Sequence, residues 1–265
     1  MKKIIFSKDF LLIFLIILLL ISINIYSFFE STYYLNEVNA FSFWNYILHY
    51  GLGSLIMFLS PIFISYLTIN EFAHKINGSL CKDETMRIGY KKMIKRNFIS
   101  SYLKAIIPFL ILYFVTFIIG QVLFSKTIIF DNYYDPKIDF YYDSVSSPYI
   151  FVILSFISLI MYIINIANIS LIILKKVKKH IQTILLTFLV INAINFIVGN
   201  TLIIISKIIG NTQLIEYCLN INFYEGYYVQ STILRSVLHT SIYFIIINII
   251  LYYSYRKKDF LGEEL

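Results

Sequence analysis

Apolar residues in this chain come in long, nearly unbroken runs rather than in the short alternating or 3.6-periodic stripes of a water-soluble fold. Six runs stand out: Phe10–Phe28, Asn45–Ile69, Ile99–Phe124, Tyr149–Leu174, Gln182–Ser206 and Ser231–Tyr253. A helix rises about 1.5 Å per residue, so roughly 20 apolar residues cross a hydrocarbon core of ~30 Å. In lipid the backbone must satisfy its own polar groups, which leaves helices and closed barrels. Barrel strands would alternate apolar and polar positions, and these runs do not. The pattern predicts an all-α, polytopic membrane protein with six transmembrane helices. The first run is longer than the apolar part of a secretory signal and has no small-residue cleavage site after it, so it is read as a retained helix.

Composition agrees with this. Hydrophobic residues make up 59% of the 265 and charged residues 14%, with a mean hydropathy of +0.77. So few charges could not cover the surface of a soluble domain, and the whole chain, 1–265, reads as one membrane domain.

The net charge of +7 is unevenly placed. Lys2, Lys3 and Lys8 precede the first run; Lys75, Lys82, Arg87, Lys91, Lys92, Lys95, Arg96 and Lys104 cluster around the connection between the second and third. Lys175, Lys176, Lys178 and Lys179 join the fourth to the fifth, and Arg256, Lys257 and Lys258 follow the sixth. The other connections hold only Lys126, Lys137, Lys207 and Arg235, together with eight of the fifteen acids. Basic residues concentrate on the cytoplasmic side, so both termini are expected there. The basic character therefore reports orientation in a lipid membrane, and no solvated basic domain exists to bind nucleic acid. Cys81 and Cys218 would fall on opposite sides and cannot pair with each other.

Chemistry-bearing motifs are scarce. There is no phosphate loop and no zinc-protease helix motif, the four histidines are scattered, and neither a cofactor, a metal nor a catalytic residue is expected. Gly51-Leu52-Gly53-Ser54 has a faint likeness to an intramembrane serine-protease loop, with Ser54 and His239 as the residues to test. Ser54 lies within the second run rather than where such proteases place their nucleophile, and a small-residue helix contact is the favoured reading. Polar residues do repeat at helical spacing inside the runs. Asn165 and Asn168 share a face, as do Asn192, Asn195 and Gly199, while Arg235, His239 and Tyr243 step by four along the last run. Such groups face other helices or a polar path. Asp131, Asp135, Asp139 and Asp143 lie four apart among tyrosines, a spacing that suits an interfacial segment and not a calcium loop. Pro61 and Pro108 fall inside runs and predict bends.

The connection Asn70–Phe98 is longer than a turn needs and mixes both charge signs, which suits docking on a soluble partner. Six helices, this enlarged basic connection and a tail reading YYSYRKKDFL resemble the ABC-2-type permease subunits of bacterial ABC transporters. Within that resemblance Glu71 and Gly78-Ser79-Leu80 look like the family's opening of the second connection. Tyr255, Arg256, Lys257, Lys258, Asp259 and Phe260 look like its aromatic-basic tail. The resemblance implies a permease that exports a peptide, a bacteriocin or another amphiphile. It also implies two protein partners: a separate ATPase subunit, and a second permease subunit that is identical or homologous. Glu71, Gly78, Asp83, Glu84, Arg87, Lys91 and Lys92 are the candidates for ATPase coupling. Asn165, Asn168, Asn192, Asn195, Arg235 and His239 are the candidates inside the membrane. A protease-like enzyme and a stand-alone immunity or sensor protein are the rival readings.

Overall fold

The computed structural model describes residues 8–31, 40–77, 80–124, 148–209, 224 and 233–256. Within these, eight helices form: α1 (Lys8–Ser31), α2 (Ala40–His49), α3 (Leu52–Asn77), α4 (Leu80–Ile88), α5 (Tyr90–Leu123), α6 (Pro148–Val177), α7 (His180–Ile209) and α8 (Ile233–Arg256). Six of them, α1, α3 and α5–α8, are long and apolar enough to cross a membrane. The protein is a multi-pass, all-helical membrane protein.

The helices gather around α6. In its most apolar window 56% of residues are buried, against 22% in α7 and α8, so α6 is the centre and the others face lipid on one side. Their outward residues are large and apolar, among them Leu15 and Leu19 of α1, Phe114 and Ile118 of α5, Leu189 and Phe196 of α7, and Leu238 and Ile245 of α8. In a bilayer these are solvated by acyl chains. The inward faces interlock through aromatic rings, as where Trp44 of α2 meets Tyr113 and Phe117 of α5 edge-on at 4.8 and 5.7 Å.

Two expectations change in detail. The second apolar run does not form one helix. It is broken at Tyr50–Gly51 into α2 and α3, and Gly51 adopts φ 54°, a left-handed conformation natural to glycine. Because Ala40 lies by Gly120 while Trp44 lies by Tyr113, α2 runs antiparallel to α5 and in the same sense as α3. Together α2 and α3 make one interrupted crossing. The break leaves backbone groups without helical partners, and Asn24 of α1 takes them up. Its Nδ2 donates to the carbonyls of Ile47 and Tyr50 at 2.9 and 3.0 Å, and its Oδ1 accepts the Leu52 amide at 3.3 Å. A Cβ on Gly51 would lie 2.6 Å from Asn24 Oδ1, and one on Gly53 would lie 2.5 Å from the Ile47 carbonyl oxygen. The Gly51-Leu52-Gly53 sequence is thus the steric condition for the break.

The second change concerns Asn70–Phe98, which is helical almost throughout: α3 continues to Asn77, α4 follows, and α5 begins at Tyr90. Of the two prolines, Pro61 withholds a donor from Met57, and the Ser60 hydroxyl bonds that carbonyl at 2.6 Å instead. The aspartates between 131 and 143, Cys218 and the tail beyond Arg256 lie outside the described residues.

The alternation of crossings is visible in the contacts. Asp9 at the start of α1 accepts bonds from Tyr66 (2.8 Å) and Asn70 (2.5 Å) late in α3. Phe72 of α3 and Phe98 of α5 both meet the ring of Tyr255 at the end of α8, the first tilted and the second edge-on. The first residues of α1 and α5 and the last of α3 and α8 therefore share one end of the bundle, where Lys8, Lys91, Lys92, Lys175 and Arg256 of the separate basic clusters also lie.

Removing the Asn24 amide by Asn24→Leu should cost about 2–4 kcal/mol, since the Ile47 carbonyl and the Leu52 amide lose this partner at once, while the Tyr50 carbonyl keeps the Gly53 amide at 2.9 Å. Gly51→Ala should destabilise by a similar amount, through the clash and the left-handed φ. Thermal unfolding of the detergent-solubilised protein checks both. A midpoint unchanged in either variant would show that the break does not rest on this contact.

Candidate functional site: a polar seam along the central helix

α6 carries a line of polar groups on its buried face, and α8 and α5 answer it. Near one end the Ser158 hydroxyl lies 3.3 Å from both Ser236 and Thr240 of α8. Two turns on, Asn165 donates its Nδ2 to the Thr240 carbonyl at 3.3 Å. Asn168 follows, donating to Asn248 Oδ1 at 3.2 Å and accepting the Tyr102 hydroxyl of α5 at 2.5 Å. The Tyr255 hydroxyl then reaches the Leu171 carbonyl at 2.8 Å, and Lys175 closes the line by donating to the Ser254 carbonyl, its ammonium 5.7 Å from the Tyr255 ring centre. Residue numbers rise together on the two helices, so α6 and α8 lie parallel. From Ser158 to Lys175 the seam runs ~25 Å, most of a hydrocarbon thickness.

Each group is there for a local reason. Spacings of seven, three and seven put 158, 165, 168 and 175 on one helical face. Serine and threonine return their hydroxyls to the preceding turn, as Ser170 does to Ile166 and Thr240 does to Ser236, which lets apolar helices carry them cheaply. Asparagine can bond back to the preceding turn as well, as Asn192 and Asn248 do to the Phe188 and Phe244 carbonyls, but its amide has a second polar atom that needs a partner on a neighbouring helix. Asn165 remains incompletely satisfied: its Oδ1 has no hydrogen-bond partner among the described residues, although the side chain is 1% exposed.

The other sequence-predicted residues are dispersed. Asn192 of α7 donates to the Phe188 carbonyl at 2.8 Å and accepts the Tyr224 hydroxyl at 3.4 Å, away from the α6–α8 seam. Asn195 and His239 are half-buried, and Arg235 lies in α8 with its side chain outside the described residues. Ser54 is exposed and donates to the Gly51 carbonyl at 2.6 Å, a bond of the first helical turn of α3. Among the described residues no group of three metal-ligating side chains comes together.

At the basic end, Glu84 of α4 forms an ion pair with Arg96 of α5, so it braces α4 internally. Arg87, Lys91 and Lys92 are exposed, and Met86 is 78% exposed on the same short helix. Glu71 and Asp83 belong to α3 and α4, with side chains outside the described residues, as is Gly78 entirely. Lys104, counted above among the anchoring charges, is instead buried on the face of α5 that also holds Asn97 and Ser101.

No family model matches the chain, and neither a curated protein nor a solved structure is detectably similar to it.

Sequence reasoning singled out Asn165 and Asn168 but passed over Asn24, Asp9, Tyr102 and Asn248. Their signal was present: each is a strongly polar or hydroxyl-bearing residue in or beside an apolar run. What the sequence lacks is the neighbour each one reaches.

A double-mutant cycle between Tyr102→Phe and Asn168→Leu should give a coupling of about 0.6–1.7 kcal/mol, the range for hydrogen bonds between membrane helices. Additive losses of stability would remove Asn168 as the link between α5 and α6.

Proposed function

We propose that this chain is the membrane-spanning permease subunit of an ABC exporter. On this reading it works beside a second permease subunit and draws on a separate ATPase to move a peptide, a bacteriocin or another amphiphile across the cell membrane. Both termini and the basic end of the bundle face the cytoplasm, in keeping with the charge distribution.

The observation that supports the reading is α4. Asn70 lies level with the start of α1, and α3 continues seven residues beyond it, ~10 Å further out. α4 sits past that point, in water on this reading, and differs from every other described helix in being rich in charge: LCKDETMRI. It is short, joined directly to two membrane-crossing helices, and braced on α5 by Glu84–Arg96. A push on such an element passes into α3 and α5 together. Its outward surface offers Met86, an apolar knob with no lipid to cover it, flanked by Arg87. An apolar anchor with an adjacent cation fits a groove with an acidic rim on a soluble partner.

Downstream, α5 meets the seam at Tyr102–Asn168, and α6 carries it to α8. A transporter of this kind alternates between helix arrangements whose balance the ATPase shifts. No ATP-binding loop exists in the chain, so hydrolysis belongs to the partner.

Purified alone, the protein should hydrolyse no ATP, and it should co-purify with an ATPase encoded beside it. The pair Met86→Ala and Arg87→Ala should weaken that association about tenfold while leaving membrane insertion intact, because the lysines from 91 onward still set orientation. Undiminished co-purification and transport in that variant would overturn the docking assignment. ATP hydrolysis by a clean preparation of this subunit would overturn the permease reading itself.

A further inference from the structure

The connection between α6 and α7 is only Lys178 and Lys179, and it is built against ordinary preference. Lys178 ends α6 in the left-handed conformation at φ 57°, its amide bonding the Leu174 carbonyl at 2.9 Å, in the position where helices usually place glycine. It is the one non-glycine residue with positive φ among those described. Lys179 caps α7, its carbonyl accepting both the amide and the hydroxyl of Thr183 at 3.0 and 2.7 Å. Four of the five residues from 175 to 179 are lysines. Lys175 is turned back onto Ser254 and the Tyr255 ring, while Lys176, Lys178 and Lys179 are exposed and form no ion pair among the described residues. Arg256, exposed at the end of α8, follows directly on the Ser254–Tyr255 contact with Lys175.

The ammonium groups of Lys176, in the last turn of α6, and of Lys178 and Lys179, on the connection itself, repel one another with no ion pair among the described residues, and Lys178 holds a backbone conformation that glycine would adopt without strain. A ligand that carries negative charge relieves the repulsion. The surroundings decide which kind. Ile181 is 70% exposed and Leu185 is 53% exposed, on the first turns of α7, so the acyl-chain belt begins immediately beside the lysines. A two-residue turn cannot project further into water, in contrast to α4. The lysines therefore stand at headgroup level.

We infer that Lys176, Lys178 and Lys179 form a binding site for the phosphate groups of anionic lipids. The site couples lipid charge to the α6–α7 turn and, through Lys175 and Tyr255, to the α8 end of the seam. The inference is independent of the permease reading.

The test uses the full chain in nanodiscs of phosphatidylcholine, with or without phosphatidylglycerol, and follows the thermal midpoint. The wild type should gain a few degrees from phosphatidylglycerol. That gain should disappear at high salt, and inorganic phosphate added to phosphatidylcholine discs should not replace it. The triple variant Lys176→Gln, Lys178→Gln, Lys179→Gln should keep less than half of the gain, whereas Lys91→Gln with Lys92→Gln should keep most of it. Lys178→Gly separates backbone from charge. It should match or exceed the wild type in phosphatidylcholine yet gain less from phosphatidylglycerol. A triple variant with the full gain, a wild-type gain that survives high salt, or no wild-type gain at all would each overturn the assignment. Should the triple variant fail to fold, the salt dependence of the wild type and the Lys178→Gly comparison decide the matter.

Discussion

A break in a membrane-crossing helix leaves amide donors and carbonyl acceptors without helical partners. Here one amide side chain from the neighbouring helix, Asn24, supplies both a donor and an acceptor at the gap. The rest of the architecture depends on that contact. It ties α1 to the α2–α3 junction, and with Asp9 bonded to Tyr66 and Asn70 it fastens α1 to α3 at two levels. It also lets α2 tilt its aromatic face against α5, where Trp44 donates to the Tyr113 carbonyl at 3.4 Å. The same constraint recurs at Pro61, where Ser60 bonds the carbonyl that proline leaves free and also lies 2.6 Å from the Tyr162 hydroxyl of α6.

The two sides of α6 are held in different ways. Toward α3 the contacts are small and hydroxylic, as in Ser170 donating to Ser65 at 2.8 Å. Toward α8 the seam uses asparagine amides, and several of its bonds are long, at 3.2–3.3 Å. The Asn165 Oδ1 is without a hydrogen-bond partner among the described residues, while the Tyr255 hydroxyl and the Lys175 ammonium close the other end of the same interface. Tyr255 then joins α8 to α6 by its hydroxyl, and to α3 and α5 by ring contacts with Phe72 and Phe98. The aromatic residue that opens the basic tail is a structural anchor, and the cations beside it mark the membrane surface.

Particular residues show how far the sequence could be read. Hydropathy placed six crossings because roughly 20 apolar residues in a row have no other stable home. The basic residues marked one end of the bundle because each connection is short enough for its charges to act as an anchor. The periodicity of Asn165 and Asn168 identified a buried polar face, since asparagines in lipid face other helices. These are local properties of composition and spacing. Gly51 and Gly53 were legible only as small residues, and the Asn70–Phe98 connection only as long and charged.

Tertiary structure decided the rest. A helix break needs a partner for its stranded backbone, and nothing in the second run reveals that the partner is Asn24 of the first. Glu84 reads as a free docking charge until Arg96 is brought beside it, and Lys104 reads as an anchor until α5 turns it inward. Which helix faces which follows from the packing of the whole bundle, because an apolar face meets lipid and another helix almost equally well. Only the sparse polar bonds and close-fitting rings distinguish them, and these join residues as far apart in sequence as Tyr90 and Tyr255.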